Sequence, residues 1–134
     1  MMLDFFGSGA TFHHLGLAVQ DASRAKVDDL TMTADPIQRV KVGFVSIGDC
    51  CVELIEPLGD DSPVSNSIKQ GYKLLHACFE VDDIAQSLQQ AERYRFKVIQ
   101  QPVPAVAFGN RKIAWVWHPL WGVFELLERG EPTA

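Results

Sequence analysis

The sequence predicts an α+β domain assembled from two copies of one structural unit, and three ordered echoes carry that prediction. Phe12-His13-His14-Leu15-Gly16-Leu17-Ala18-Val19-Gln20-Asp21 returns as Leu74-Leu75-His76-Ala77-Cys78-Phe79-Glu80-Val81-Asp82-Asp83; His14 falls on His76, Val19 on Val81 and Asp21 on Asp83. Val40-Lys41-Val42-Gly43-Phe44-Val45 returns as Arg111-Lys112-Ile113-Ala114-Trp115-Val116, and Val52-Glu53-Leu54-Ile55-Glu56 as Phe124-Glu125-Leu126-Leu127-Glu128. Each copy therefore supplies a histidine at a matched place, His14 or His76, and two matched glutamates, of which Glu53 and Glu125 lie between apolar neighbours.

The elements follow in order. Residues 12–19 are apolar and β-prone, as a largely buried strand requires. Gln20-Asp21-Ala22-Ser23 can cap a short helix reaching about Leu30. Thr31 to Pro36 is turn-like, with a break at Asp35-Pro36. Val40–Ile47 and Cys51–Ile55 read as a hairpin closed by Gly48-Asp49. Ser62 is the candidate N-cap and Pro63 the first residue of a helix running to about Gln70 and stopping at Gly71. In the second copy, strand 74–81 leads to Asp82-Asp83, which caps a helix from Ile84 to about Arg93 with Ile84, Leu88 and Ala91 on one face. A short strand at Phe96–Ile99 precedes the apolar loop Pro102–Phe108, which either packs as structure or lies over a pocket as a lid. Strands 112–117 and 123–128 complete the chain, and the tail Gly130–Ala134 is expected to fray.

Composition narrows the function. The chain has 134 residues, enough for one domain with a real core, and its 47% hydrophobic and 22% charged residues are ordinary for a globular protein. A net charge of −5 with scattered Lys and Arg argues against a nucleic-acid partner. No segment reaches the roughly 18 apolar residues of a membrane helix, and Met1–Gly9 carries Asp4 without a positive start, so neither membrane nor signal peptide is expected. Cys50, Cys51 and Cys78 are an odd number without thiolate-zinc spacing; they read as reduced, mostly buried small hydrophobes of a cytoplasmic protein.

Glu53 and Glu125 each sit between hydrophobic neighbours on a strand, where a carboxylate is costly to bury alone. Such a glutamate has a partner, holds a metal, or faces solvent. If the two copies pack about a pseudo-twofold axis, His14, Glu53, His76 and Glu125 converge into a ligand set for one divalent ion: zinc, cobalt, nickel, manganese or iron(II). His13 and His118 have no counterparts and read as structural. Glu56 and Glu128 repeat but point to the other strand face and read as solvent-exposed. Trp115, Trp117 and Trp121 are expected to cluster with Phe108 near the site, as core or as pocket wall. Lys41 and Lys112, with Arg39 and Arg111 beside the same strand starts, suggest a handle for an anionic small molecule, or simply solvated strand ends.

The quoted segments, with Asp61-Ser62-Pro63 and Gly122-Val123-Phe124-Glu125-Leu126, resemble the vicinal oxygen chelate superfamily, which includes glyoxalases, methylmalonyl-CoA epimerases, extradiol dioxygenases and bleomycin-resistance proteins. Leu54–Pro63 is most like the epimerases; Asp35-Pro36-Ile37-Gln38 and Pro102–Phe108 resemble a branch called glyoxalase-like. The resemblance implies paired βαβββ modules forming one cupped mixed sheet in a single domain: module one about 12–57, a connecting helix about 58–73, and module two about 74–129. The first module is abbreviated between Val19 and Val40, and its second strand is expected to be vestigial. The resemblance also implies metal ligation by His14, Glu53, His76 and Glu125, a homodimer, and an isomerase, epimerase or lyase. Such an enzyme acts on a small metabolite or thioester: the metal stabilises an enolate and Glu125 or Glu53 moves the proton next to the carbonyl. Phe108, Arg111, Lys112, Trp115 and Trp117 would line the substrate pocket. The alternative is a non-catalytic, resistance-type small-molecule binder. An oxygen-activating iron enzyme fits less well, since those sites use two histidines and one carboxylate.

Overall fold

The computed structural model describes residues 1–130; of the tail expected to fray, 131–134 lie outside the described residues. The fold is α+β. The described residues divide into two compact units, one spanning His14–Leu75 and the other combining Met1–His13 with the chain from His76 onward.

The His14–Leu75 unit holds most of β1 (Thr11–Ala18), then β2 (Thr33–Asp35), β3 (Val40–Ile47), β4 (Cys50–Pro57) and α1 (Pro63–Lys69). Its strands lie in the order β2-β3-β4-β1, with β3 antiparallel to β2 and β4, and β1 parallel to β4. The predicted hairpin is present, Gly48 adopting the positive φ of 59° that its turn needs. At three residues β2 is as small as its abbreviated sequence suggests. It ends in a turn in which buried Asp35 accepts from the Ile37 and Gln38 amides, both at 3.0 Å. Ser62 caps α1 by position only, since its buried hydroxyl has no hydrogen-bond partner among the described residues.

The expected helix from Asp21 to Leu30 is absent, and this is a correction. The Asp21 cap forms, accepting from Ser23 N at 3.0 Å, but only a 3-10 turn at Ala22–Ala25 follows. Lys26 and Asp29 then adopt left-handed φ values of 54° and 63°. The stretch buries only Ala22, so no apolar face holds further helical turns against the sheet.

The second unit contains β5 (Leu74–Val81) from His76 onward, α2 (Ile84–Arg93), β6 (Lys97–Ala105), β7 (Arg111–His118) and β8 (Gly122–Glu128), in the sheet order β5-β8-β7-β6. Here the predicted helix forms: Ile84, Ser87, Leu88 and Ala91 are buried, and Ile84, Leu88 and Ala91 pack with Phe6, Val81, Phe96, Ala114, Val116 and Leu126 into one core. Burying each of the Ile, Leu, Val and Phe side chains among them contributes about 1.5–3 kcal/mol. The N-terminal segment is part of that core. Ser87 Oγ donates to the Phe6 carbonyl at 2.8 Å and Tyr94 Oη to Asp4 Oδ1 at 2.6 Å. Phe5 meets Tyr94, Phe96 and Trp121 at ring distances of 5.1 to 5.3 Å.

Four further expectations change. The strand expected at Phe96–Ile99 runs on to Ala105 with irregular register, and only Val106–Phe108 forms a 3-10 turn, so most of the supposed loop is sheet. Pro102 and Pro104 are accommodated because β6 is the last strand of its array, where a missing N–H costs no ladder bond on the open side. Glu56 and Glu128 are half-buried rather than solvent-exposed: Glu56 Oε1 accepts from Ala22 N and Glu128 Oε2 from Ile84 N, each at 3.0 Å. Each carboxylate serves an orphan amide at the start of its unit's helical turn. Of the cysteines only Cys78 is buried; Cys50 and Cys51 are partly exposed. Among the described residues no helix is long and apolar enough to cross a membrane.

Candidate functional site

Both units place the predicted histidine against the predicted glutamate, and by the same register. Parallel pairing sets Gly16 opposite Glu53 and Cys78 opposite Glu125. In each case the histidine lies two residues earlier on the same strand face, within diagonal reach of the carboxylate. The result is His14 Nε2 at 3.3 Å from Glu53 Oε1, and His76 Nε2 at 3.3 Å from Glu125 Oε1. All four are of metal-ligating type and all four are buried, at 0% and 5% exposure in the first pair and 5% and 2% in the second.

The spacing indicates what these pairs are suited to hold. An ionised N–H···O⁻ bond closes to about 2.7–2.9 Å. Donors bound to one divalent ion at about 2.0–2.2 Å lie roughly 3–3.5 Å apart. At 3.3 Å the imidazole and carboxylate atoms match co-ligands better than a tight ion pair. Nitrogen and carboxylate donors also suit a metal of intermediate hardness.

A third group joins each pair. Phe44 lies opposite Glu53 across β3 and β4, and Trp115 opposite Glu125 across β7 and β8. The Phe44 ring meets His14 at 5.7 Å and 78°, and the Trp115 ring meets His76 at 4.6 Å and 88°. Phe44 was missed as a site residue in the sequence; its alignment with Trp115 in the repeated Val40–Val45 segment was the available signal. Cys51 shares the strand face of Glu53. Burial first, and then the Glu53 charge, push its thiol above the usual range, which keeps it a neutral neighbour and not a thiolate.

The remaining sequence-predicted residues scatter. Arg111 is engaged within its own unit, with Nη1 3.1 Å from Glu80 Oε2, Nε donating to the Phe108 carbonyl at 3.3 Å, and its guanidinium 5.9 Å from the Phe108 ring centroid. Strand alternation puts Arg111, Ile113, Trp115 and Trp117 on one face of β7 and Lys112 on the other, with buried Ala114 and Val116 beneath α2. Lys112 thus lies on the face away from Trp115. Arg39 forms an exposed pair with Asp61 at 3.2 Å, of a kind worth little. Trp121 does not cluster with Phe108; it packs on Phe5. His118 has a structural role, its Nδ1 accepting from Leu120 N at 3.0 Å.

Known proteins place this geometry in context. A family model described as Glyoxalase/Bleomycin resistance protein/Dioxygenase superfamily matches residues 13–115. The mitochondrial methylmalonyl-CoA epimerase of Bos taurus is 26% identical over 108 residues, covering 73% of this chain and 62% of that protein. The chain thus spans about three fifths of the length of such curated relatives. Among solved structures, a hypothetical protein from Bacillus halodurans aligns with a TM-score of 0.76 and 26% identity over 95% of this chain and 99% of that one. A Streptomyces coelicolor methylmalonyl-CoA epimerase in complex with 2-nitronate-propionyl-CoA aligns with a TM-score of 0.73 at 18% identity, covering 92% and 97% of the two chains, and so shares the fold.

Proposed function

The chain belongs to the glyoxalase/bleomycin resistance protein/dioxygenase superfamily, and from that premise we propose that it is a divalent-metal-dependent epimerase acting on the proton next to the carbonyl of a small thioester. The observation that carries this reading is the doubled His–Glu pair, buried in both units at the same 3.3 Å separation. A protein that only binds small molecules has no need of two buried carboxylates set against two imidazoles. The relatives point the same way, several being methylmalonyl-CoA epimerases.

In this proposal His14, Glu53, His76 and Glu125 together hold one ion. When bound, the ion supplies Lewis acidity that stabilises negative charge developing on the substrate carbonyl, worth several kcal/mol. The chain's own groups move the proton. Epimerisation removes it from one face of the carbon and returns it to the other, and Glu125 and Glu53 are the two candidate bases. Trp115, packed against His76, would shield the exchanging proton from water on that strand face, whereas Trp117 is exposed.

The test has two parts. Chelator-stripped protein should rebind one divalent ion per chain and gain thermal stability, and His76→Ala should abolish both. Two ions per chain, or undiminished binding by His76→Ala, overturns the shared site. Metal-loaded protein incubated in heavy water with a methylmalonyl thioester should incorporate deuterium at the acidic carbon. Glu125→Gln, checked for full metal content, should slow that exchange by about 10²–10⁴ if Glu125 is the base. Exchange by stripped protein, or none by loaded protein, overturns the catalytic reading.

A further inference from the structure

We propose that Phe44 and Trp115 are positioning residues that lock the His14 and His76 imidazoles in one ring orientation, with Trp115 the more important of the two. The proposal rests on reading the His–Glu pairs as metal ligands, and it adds a shell of control around them.

An imidazole on a strand is not oriented by its rotamer alone. Its outer torsion is broad and roughly two-fold, so a half-turn replaces a ring nitrogen by a carbon at nearly the same place. Metal binding tolerates no such exchange, because only a nitrogen lone pair ligates. Something beyond the strand must therefore choose between the two orientations, and histidine ligands are ordinarily fixed by the groups around them.

In both units an aromatic side chain occupies the place where that choice is made. It stands on the strand beyond the glutamate, directly opposite that glutamate in antiparallel register, so imidazole, carboxylate and aromatic ring form a row across three adjacent strands. The row runs β1-β4-β3 in one unit and β5-β8-β7 in the other. Both rings stand nearly perpendicular to their imidazole, at 78° and 88°, the edge-to-face arrangement that aromatic quadrupoles favour. At 4.6 Å between centroids the Trp115 ring is in direct contact with the His76 imidazole, and Trp115 stands opposite Glu125 in the same cross-strand pairing. Phe44 is smaller and stands off at 5.7 Å, so His14 is held more loosely.

The experiment compares metal affinity in Trp115→Leu, Trp115→Phe and Phe44→Leu, using Zn²⁺ competition against a chromophoric chelator and Co²⁺ absorption to report the ligand field. Trp115→Leu should weaken binding by about 10–100-fold, the range for groups that orient metal ligands. Trp115→Phe should recover most of that loss, and Phe44→Leu should cost less than Trp115→Leu. Co²⁺ should quench Trp115 emission in the wild type, and Trp115→Phe should lose that quenching while still binding the ion. Wild-type affinity in Trp115→Leu, or equal losses for the Leu and Phe variants, overturns the positioning role. Should Trp115→Leu not fold, Phe44→Leu decides on its own, since it should bind Zn²⁺ more weakly than the wild type and wild-type affinity would overturn the positioning role. His76→Ala separates the two readings. If it abolishes binding while Trp115→Leu leaves binding intact, only the positioning role fails; if it binds like the wild type, the ligand reading fails and this proposal with it.

Discussion

The two units keep one side of their sheets alike and let the other diverge. On the side of the candidate ligands, both present a histidine, a glutamate and an aromatic ring joined by identical strand offsets. On the covered side, the second unit carries the ten-residue α2 over Ala114, whereas the first has a 3-10 turn and an irregular segment over Gly43. Ala114 and Gly43 are matched positions in the repeat. A Cβ at Gly43 would come within 2.8 Å of the Thr31 carbonyl and 2.5 Å of Met32 Sδ, because irregular chain settles nearer the sheet than a helix does. Chemistry constrains one face tightly, while the other only has to exclude water, and several kinds of cover serve.

The contrast breaks most visibly in the core. Leu88→Ala, which leaves a void between α2 and its sheet, should lower unfolding free energy by about 2–5 kcal/mol in denaturant titration. Leu30→Ala, in the part-buried segment that replaces the helix, should cost no more than about 1 kcal/mol. Equal costs would mean that the first unit relies on its irregular cover as heavily as the second relies on α2.

Exchanging the matched small residues sharpens the point. Gly43→Ala should destabilise by about 1–3 kcal/mol, since the backbone oxygen it meets cannot rotate away as a side chain can. A neutral or stabilising result would show that residues 30–32 lift off at little cost.

The smallest effect belongs to Cys51, which shares a strand face with the candidate ligand Glu53. Its raised pKa leaves less thiolate than an ordinary thiol has near pH 8, so iodoacetamide should modify it slowly, at a rate that climbs as pH rises through the elevated value. Burial is the larger cause and the Glu53 charge the smaller, so Glu53→Gln should accelerate alkylation by only about twofold. A large acceleration would put the carboxylate's charge ahead of burial.

These contrasts also mark what was legible in the sequence. The repeat made His14, Glu53, His76 and Glu125 stand out, because strand register converts matched spacing into matched contact: the same two-residue offset recurs in both units. Helix α2 was legible since Ile84, Leu88 and Ala91 repeat at helical spacing. The helix expected after Asp21 was misread because its cap was real while its buried face was not; a cap starts a helix but cannot extend one. Glu56 and Glu128 escaped for a different reason. Their face was inferred correctly from alternation, but the partners they serve lie 34 and 44 residues away, beyond what a local pattern displays. Pro102 and Pro104 made β6 read as a loop because position within a sheet, which decides whether proline is tolerated, is a property of the fold.

That last strand bears on how the protein behaves when crowded. A newcomer trying to lengthen the sheet beside β6 would find two residues with no N–H to offer and slips of register between Val98 and Gln100 and between Gln100 and Val103. Fibril growth needs a straight, repeating template, and this border provides neither regular spacing nor a full set of donors. The prolines that hide the strand from a reader of the sequence also close that border to strand-by-strand aggregation.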